Sequence, residues 1–315
     1  MSPTVFVCGA TGTQGGALIR HLLPSGATIH ALARDPSSPK AKALESLGVK
    51  LTHGDFDNEA ALRSAIPVGT HAIFLNFMPV FTDFGANLRQ AKLIMSIAKD
   101  AGVTHVVYSG GTGAEATKAL LDGDDGNRQT NPLAAILCSK VDIEDAVKAA
   151  GFASYTILRP ANFMANYIDP FVRFQLAGLA ETGRTTGAAD PDAPIPMVST
   201  QTIGAMSAAA ILEPERFGGH DVTYADELVT LRQVIQRLRE ITGKDLEYVR
   251  MSDEETQAQK AVNPFIRGML MLPKLANFVD LDAVETWNIS RDSLDDYLQR
   301  EKQVVLETYA SLPSV

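Results

Sequence analysis

Gly9-Ala10-Thr11-Gly12-Thr13-Gln14-Gly15 is the stretch that decides the fold. It follows a compact apolar run at 4–8 and opens a segment of helical spacing at 15–23. Strand, glycine turn and helix, in that order, make the turn that cradles a dinucleotide pyrophosphate. Gly9 lets the chain turn sharply, Gly12 clears the approach of backbone amides to phosphate, and Gly15 lets the helix pack closely on the strand. Thr11, Thr13 and Gln14 stand at the mouth of the turn, where the helix offers free N–H groups and a partial positive charge. The alternative, a plain tight turn, does not require three glycines at this spacing.

The same alternation continues outward. Apolar runs at 28–33, 49–52, 71–77, 104–109 and 154–158 read as strands. Helical patterns separate them at 40–47, 59–65, 87–101 and 136–150, the last two closed by Gly102 and Gly151. Strand–helix–strand repetition implies right-handed crossovers and a parallel sheet. Strands that are apolar nearly throughout imply helices on both faces. The expected fold class is α/β, a Rossmann-type doubly wound parallel sheet over 1–158, followed at 159–315 by a smaller α+β substrate or cap region. Helices are expected at 200–212 and 231–242, the second capped by Thr230, and short strands at 220–224 and 246–249. The chain is expected to cross between the two regions more than once.

Composition sets the class. The 315 residues are 45% hydrophobic and 21% charged, and the formal net charge is -9. This is an ordinary balance for a soluble globular protein, and it argues against nucleic acid as partner. The two cysteines, Cys8 and Cys138, are too few for a disulfide framework or a metal cluster, and the six histidines show no metal spacing. With no signal peptide and no window of the ~20 apolar residues that a membrane span requires, a cytoplasmic location is expected.

The tip of the second strand chooses the cofactor. An acidic residue there would bind a ribose 2′-hydroxyl and favour NAD. The residue is Arg34, whose guanidinium can pair with a 2′-phosphate, so NADP(H) is expected. Lys40 and Lys42 add positive charge; Asp35 could instead turn inward, and Arg34 could be a solvated surface residue. At the end of the third strand, Asp55 is placed to accept from the adenine amino group with Phe56 beside the ring, or else to make a simple turn or helix cap. Asn76 and Phe77 end the fourth strand and pass next beneath the cofactor. Ser109 ends the fifth, where the nicotinamide should lie, and is a candidate proton relay. Tyr108 should pack on the opposite face. Tyr155 reads as core, and Tyr167 could face substrate.

Gly9 to Gly16, Arg34, Gly54-Asp55 and Leu158-Arg159-Pro160-Ala161-Asn162-Phe163-Met164 together resemble the NmrA-like proteins, atypical members of the short-chain dehydrogenase/reductase superfamily. The resemblance implies that Pro160, Asn162 and Phe163 also border the cofactor. It implies one architecture shared by NADP-binding redox sensors, quinone reductases and isoflavone-reductase-like enzymes. Typical short-chain dehydrogenases carry Tyr-x-x-x-Lys on the helix after the fifth strand. Here Ile136 stands at the tyrosine position and Lys140 at the lysine. The resemblance to isoflavone-reductase-like enzymes implies that Lys140 acts as base or proton shuttle. It could also only anchor ribose hydroxyls, or lie on the surface.

The loops 110–131 and 178–196 are long for connections and are candidate lids. Phe77, Met78, Phe81, Phe163, Met164 and Met197 are expected either to line a pocket for a small apolar aromatic or quinone-like substrate, or to form a seam. The leading function is an NADPH-dependent reductase that transfers hydride to a quinone, enone or conjugated aromatic substrate. The alternatives are a non-catalytic NADP(H) sensor with a regulatory protein partner, and a member repurposed for non-redox biosynthesis. A homodimer is also expected as a possible assembly.

Overall fold

The computed structural model describes residues 2–114, 131–260, 262–263 and 265–314. The first part alternates as expected: β1 (Thr4–Val7), α1 (Thr13–Leu22), β2 (Thr28–Ala33), α2 (Pro39–Ser46), β3 (Lys50–His53), α3 (Glu59–Ala65), β4 (Ala72–Leu75), α4 (Ala86–Asp100), β5 (His105–Ser109), α5 (Pro132–Ala149) and β6 (Ser154–Pro160). Burial explains the pattern. Every residue of β4 and β5 is buried, because helices cover both faces of the sheet. In α4, Ala91, Ile94, Met95, Ile97 and Ala98 are buried at helical spacing and the other face is wet.

Later strands are β7 (Asn162–Phe163), β8 (Arg184–Gly187), β9 (Ile195–Val198), β10 (His220–Tyr224), β11 (Glu227–Val229) and β12 (Glu247–Arg250). The main sheet has seven strands in the order β10-β6-β5-β4-β1-β2-β3. The pairs β1 with β2, β1 with β4, β2 with β3, β4 with β5 and β5 with β6 are all parallel. The strand order reverses at β1, between β2 and β4. In a doubly wound sheet, that switch point at the carboxyl ends is where ligands bind.

The chain divides into two compact units, Met1–Arg159 with Ile203–Val222, and Pro160–Thr202 with Thr223–Val315. Ile203–Val222, inside the region expected at 159–315, belongs to the first unit. Helix Thr200–Leu212 lies against α1 through Gly204, where a Cβ would fall 2.7 Å from Ala17 O. The Thr156 hydroxyl donates to Phe217 O at 3.0 Å.

The second unit holds a three-stranded sheet, β11-β9-β7, and a parallel pair, β12-β8. Its core includes Met164, Tyr167, Met197, Leu238, Tyr297 and Tyr309. Helix Leu231–Thr242 starts at the expected cap: Thr230 Oγ1 accepts from Gln233 N–H, and the Gln233 side chain accepts from Thr230 N–H. Gly243 closes it in the left-handed conformation.

Candidate functional site

The glycine turn stands at the carboxyl end of β1. Gly9 adopts φ +65°, and Gly12 N–H donates to Gly9 O at 2.9 Å, which closes the turn. A Cβ on Gly15 would lie 2.3 Å from Gly9 O, so α1 sits directly on the turn and only glycine fits there. Gly12 is the N-cap of α1 and brings no side chain to its first turn. The leading amides of a ten-residue helix therefore keep their hydrogens for an outside acceptor. Open amides, the positive end of the helix dipole and a backbone cleared of side chains fit a pyrophosphate.

Three strand ends are tied together here. Gln14 Nε2 donates to Asn76 Oδ1 at 2.9 Å, and Ser109 Oγ donates to Gln14 Oε1 at 2.7 Å. Asn76 follows β4 and Ser109 ends β5, so one glutamine amide links the turn to both. Cys8, beside them, is fully buried, and burial pushes its thiol far up, which leaves it an inert packing group.

Arg34 is exposed just past β2 and makes no ion pair among the described residues. Asp35 is engaged locally: its Oδ1 accepts from the Ser37 N–H at 2.9 Å and the Ser37 hydroxyl at 2.6 Å. Those bonds hold its carboxyl below the usual range. Asp55 Oδ1 accepts from Asp57 N–H at 3.1 Å, which is the simple-turn alternative, while Asn58 caps α3. Phe56 is half-buried and meets Phe77 edge-on, ring centroids 5.6 Å apart.

Lys140 lies on α5 and donates to Gly110 O at 3.1 Å, immediately after β5. The residue keeps some exposure, but its ammonium is closely packed: a Cβ on Gly111 would fall 2.8 Å from Nζ. Burial pulls its pKa below the usual lysine range, and the negative charge of Glu144 one turn later works the other way. Glu144 is held by Arg159, which donates to both carboxylate oxygens at 3.0 and 2.5 Å and to Asp221 at 2.7 Å. Lys148 donates to the same Asp221 oxygen at 2.6 Å. Arg159 and Glu144 are almost fully buried. Sequence reasoning quoted Arg159 only as part of a motif and missed this network.

A small pocket opens beside Lys140, lined by Phe77, Val80, Phe84, Ile136, Ser139 and Lys140 among others. The six apolar residues expected to line a pocket or to form a seam do not all gather here. Of the six residues proposed, Phe77 takes part, while Met78 and Phe81 are 72% and 59% exposed. Met164 and Met197 are fully buried in the second unit's core. Phe163 packs on that core. Tyr167, expected as a possible substrate contact, is fully buried; its hydroxyl accepts from Asn162 and its carbonyl from Tyr309. Asn162 uses its other end to accept from Asn166, and Pro160 ends β6. Tyr108 is buried as expected, with its hydroxyl pushed up by burial and by Glu144. Residues 115–130, most of the first candidate lid, lie outside the described residues. Among the described residues, no helix is long and apolar enough to cross a membrane.

Strand order and a glycine turn at the switch point define a Rossmann-type α/β protein. The model of the NmrA-like family matches residues 1–297, and the chain belongs to that family. An NmrA-like family domain-containing oxidoreductase of Malbranchea aurantiaca is 27% identical over 263 residues, 78% of this chain and 75% of the relative. Quinone oxidoreductase 2 of Escherichia coli is 27% identical over 256 residues, covering 81% of this chain and 80% of its own. Among solved structures, the negative transcriptional regulator NmrA in complex with NAD matches with TM-score 0.74 at 18% identity over 98% of each chain. The NADPH-dependent quinone oxidoreductase of Escherichia coli, complexed with NADPH, matches with TM-score 0.70 at 24% identity over 94% of this chain and 99% of its own. At such identities the structural likeness shows the fold.

Proposed function

We propose that this protein is an NADPH-dependent reductase that delivers hydride to a quinone, an enone or a conjugated aromatic substrate. The observation that carries the reading is Lys140, an ammonium with a depressed pKa that opens on an apolar pocket. Through Gly110 it is held at the same carboxyl edge of the sheet as the glycine turn. The oxidoreductase and quinone oxidoreductase relatives support it.

The first turn of α1 would hold the pyrophosphate and Arg34 the 2′-phosphate. Asp35 does not compete for the ribose, because its carboxylate is turned to Ser37. Bound NADPH would supply the hydride, chemistry that belongs to the cofactor. Lys140 would hold or deliver a proton at a substrate oxygen, a task that a lowered lysine pKa suits. Alternatively it would hold ribose hydroxyls. Ser109 fits a positioning role better than a relay, because its proton is directed at Gln14.

Ile136, where short-chain dehydrogenases place tyrosine, favours a second reading: a sensor that binds the cofactor without turnover. One experiment separates the two. Calorimetric titration with NADPH, NADP⁺, NADH and NAD⁺ is followed by assay of NADPH consumption against a panel of quinones and enones. Tight NADPH binding with turnover supports the reductase. Discrimination between NADP⁺ and NADPH without turnover supports the sensor, and no nucleotide binding overturns both.

A further inference from the structure

Lys140 and Glu144 stand one turn apart on α5. Side chains four residues apart on a helix are neighbours, and a lysine and a glutamate at that spacing attract each other. This pair stays open. Among the described residues no hydrogen bond joins the two: Lys140 donates to Gly110 O at 3.1 Å, and both oxygens of Glu144 accept from Arg159, at 3.0 and 2.5 Å. Both side chains press on the same two glycines. A Cβ on Gly110 would lie 3.2 Å from Glu144 Oε1, and one on Gly111 would lie 2.8 Å from Lys140 Nζ. Arg159 is fixed from a second side. Its strand, β6, neighbours β10, and it donates to Asp221 of β10 at 2.7 Å. Lys148 donates to the same Asp221 oxygen at 2.6 Å, so charges alternate from Lys148 through Asp221 and Arg159 to Glu144. The side chains of Arg159 and Glu144 are each only 4% exposed, a costly place for two charges, and the proposed chemistry gives them no task.

We propose that Arg159 is a positioning residue for Lys140: by taking both oxygens of Glu144 it keeps that carboxylate from closing on the ammonium, and so leaves the ammonium at the Gly110 carbonyl. Without the guanidinium, Glu144 is a buried negative charge in search of a cation. Lys148, one turn onward, is held by Asp221, and Lys140, one turn back, is the partner within reach. The ammonium then leaves Gly110 O and holds its proton more tightly, because a negative charge at hydrogen-bond distance favours the charged lysine. Among the described residues, Glu144 is the charge that acts on Lys140; Tyr108, which shares its pocket, stays neutral because burial pushes its hydroxyl far up. Arg159 thus acts through Glu144 and not on a substrate. The proposal deepens the reductase reading, on which the use of Lys140 rests, but its test reads the lysine itself.

The test is competitive acetylation of the full chain. Trace acetic anhydride is added across the titration range of lysine, and the Lys140 peptide is quantified by mass spectrometry. The neutral amine reacts and the ammonium does not, so the midpoint of labelling against pH reports how tightly Lys140 holds its proton. Lys302, exposed in the second unit, is the reference and should not move. Arg159→Met should raise the Lys140 midpoint by about one pH unit. Glu144→Gln should lower it, since the charge that raises it is gone. Loosening of the fold cannot give this opposed pair of shifts, because exposure moves a buried lysine only upward. In the Glu144→Gln background, Arg159→Met should move the midpoint little.

A midpoint in Arg159→Met equal to the parent's overturns the proposal. So does a rise that persists undiminished in the Glu144→Gln background, which would mean that Arg159 acts on Lys140 without Glu144. If Arg159→Met does not fold, Glu144→Gln decides: a fall in the midpoint supports the proposal and an unchanged midpoint overturns it. The expected shifts in a protein that consumes no NADPH sink the reductase and leave Arg159 in its role. NADPH turnover by a protein whose Lys140 midpoint ignores both substitutions does the reverse.

Discussion

The hydroxyl of Ser109, the last residue of β5, donates to the side-chain oxygen of Gln14 in the first turn of α1 at 2.7 Å. The same amide donates onward to Asn76 past β4. The bond sets the direction of the Ser109 proton, away from anything beyond Gln14. It also makes the glycine turn depend on two strands that are far away in sequence. Ser109→Ala removes one neutral hydrogen bond of about 1 kcal/mol, so NADPH affinity should fall about fivefold with kcat nearly unchanged. A relay would instead lose about a hundredfold or more in kcat. Calorimetry for the cofactor and steady-state kinetics with a quinone tell the two apart.

Arg34 makes the second prediction. Its guanidinium is exposed and its acidic neighbour is tied to Ser37. Arg34→Ala should weaken NADPH binding about tenfold to a hundredfold, the worth of charge-assisted bonds to a phosphate. NADH, which lacks the 2′-phosphate, should bind the variant and the parent protein equally. Equal losses for both nucleotides would show that Arg34 does not read the phosphate.

The fold was legible because its signals are local. Apolar runs, three glycines and helix-closing glycines give element type and order without reference to distant residues. The start of α5 was missed by four residues, although Asn131 caps it and Pro132 follows at the first helical position. Its apolar residues are spread round the helix rather than in a stripe, which hid the first turn. What the sequence hid depended on facing. Met197 sits in β9, buried on both faces, so composition could not say whether it lined a cavity or filled a core. Asp35 was ambiguous until Ser37 was seen to take its carboxylate. The Arg159–Glu144 pair joins two elements, and a charged residue is read from sequence as exposed.

That pair sets the third prediction. Glu144 is almost fully buried, so Arg159→Met takes away its guanidinium partner and should cost about 3–5 kcal/mol in urea unfolding, while Glu144→Gln should cost less because Arg159 keeps Asp221. The double variant Glu144→Leu with Arg159→Met should recover much of this, because neither charge is then left alone. Asp221 would keep Lys148 at 2.6 Å. A double variant as unstable as the sum of the singles would show that the pair contributes more than mutual neutralisation.

Asp226, in the second unit, gives a prediction in pH. Its Oδ2 accepts from Ser199 N–H at 2.7 Å, but its Oδ1 is buried without a partner among the described residues. Burial pushes its pKa from the usual 3.8 up to about 6, against hydrogen bonds from Ser199, Thr202 and the Asp292 backbone, and the negative charge of Asp292 adds to the rise. The folded state therefore holds this proton more tightly than the unfolded chain does. Below pH 3.8 both states are protonated and the group is neutral in its effect. Between there and about pH 6 the unfolded chain ionises first, so stability falls as pH rises, by about 3 kcal/mol at most. Above that the loss is complete and constant. Asp226→Asn, which can still accept from Ser199 N–H, should remove this slope. It should unfold at a higher temperature than the parent at pH 8 and at the same temperature near pH 4. Thermal unfolding of both proteins across this range is the measurement, and a parallel pair of curves would mean that Asp226 ionises as freely folded as unfolded.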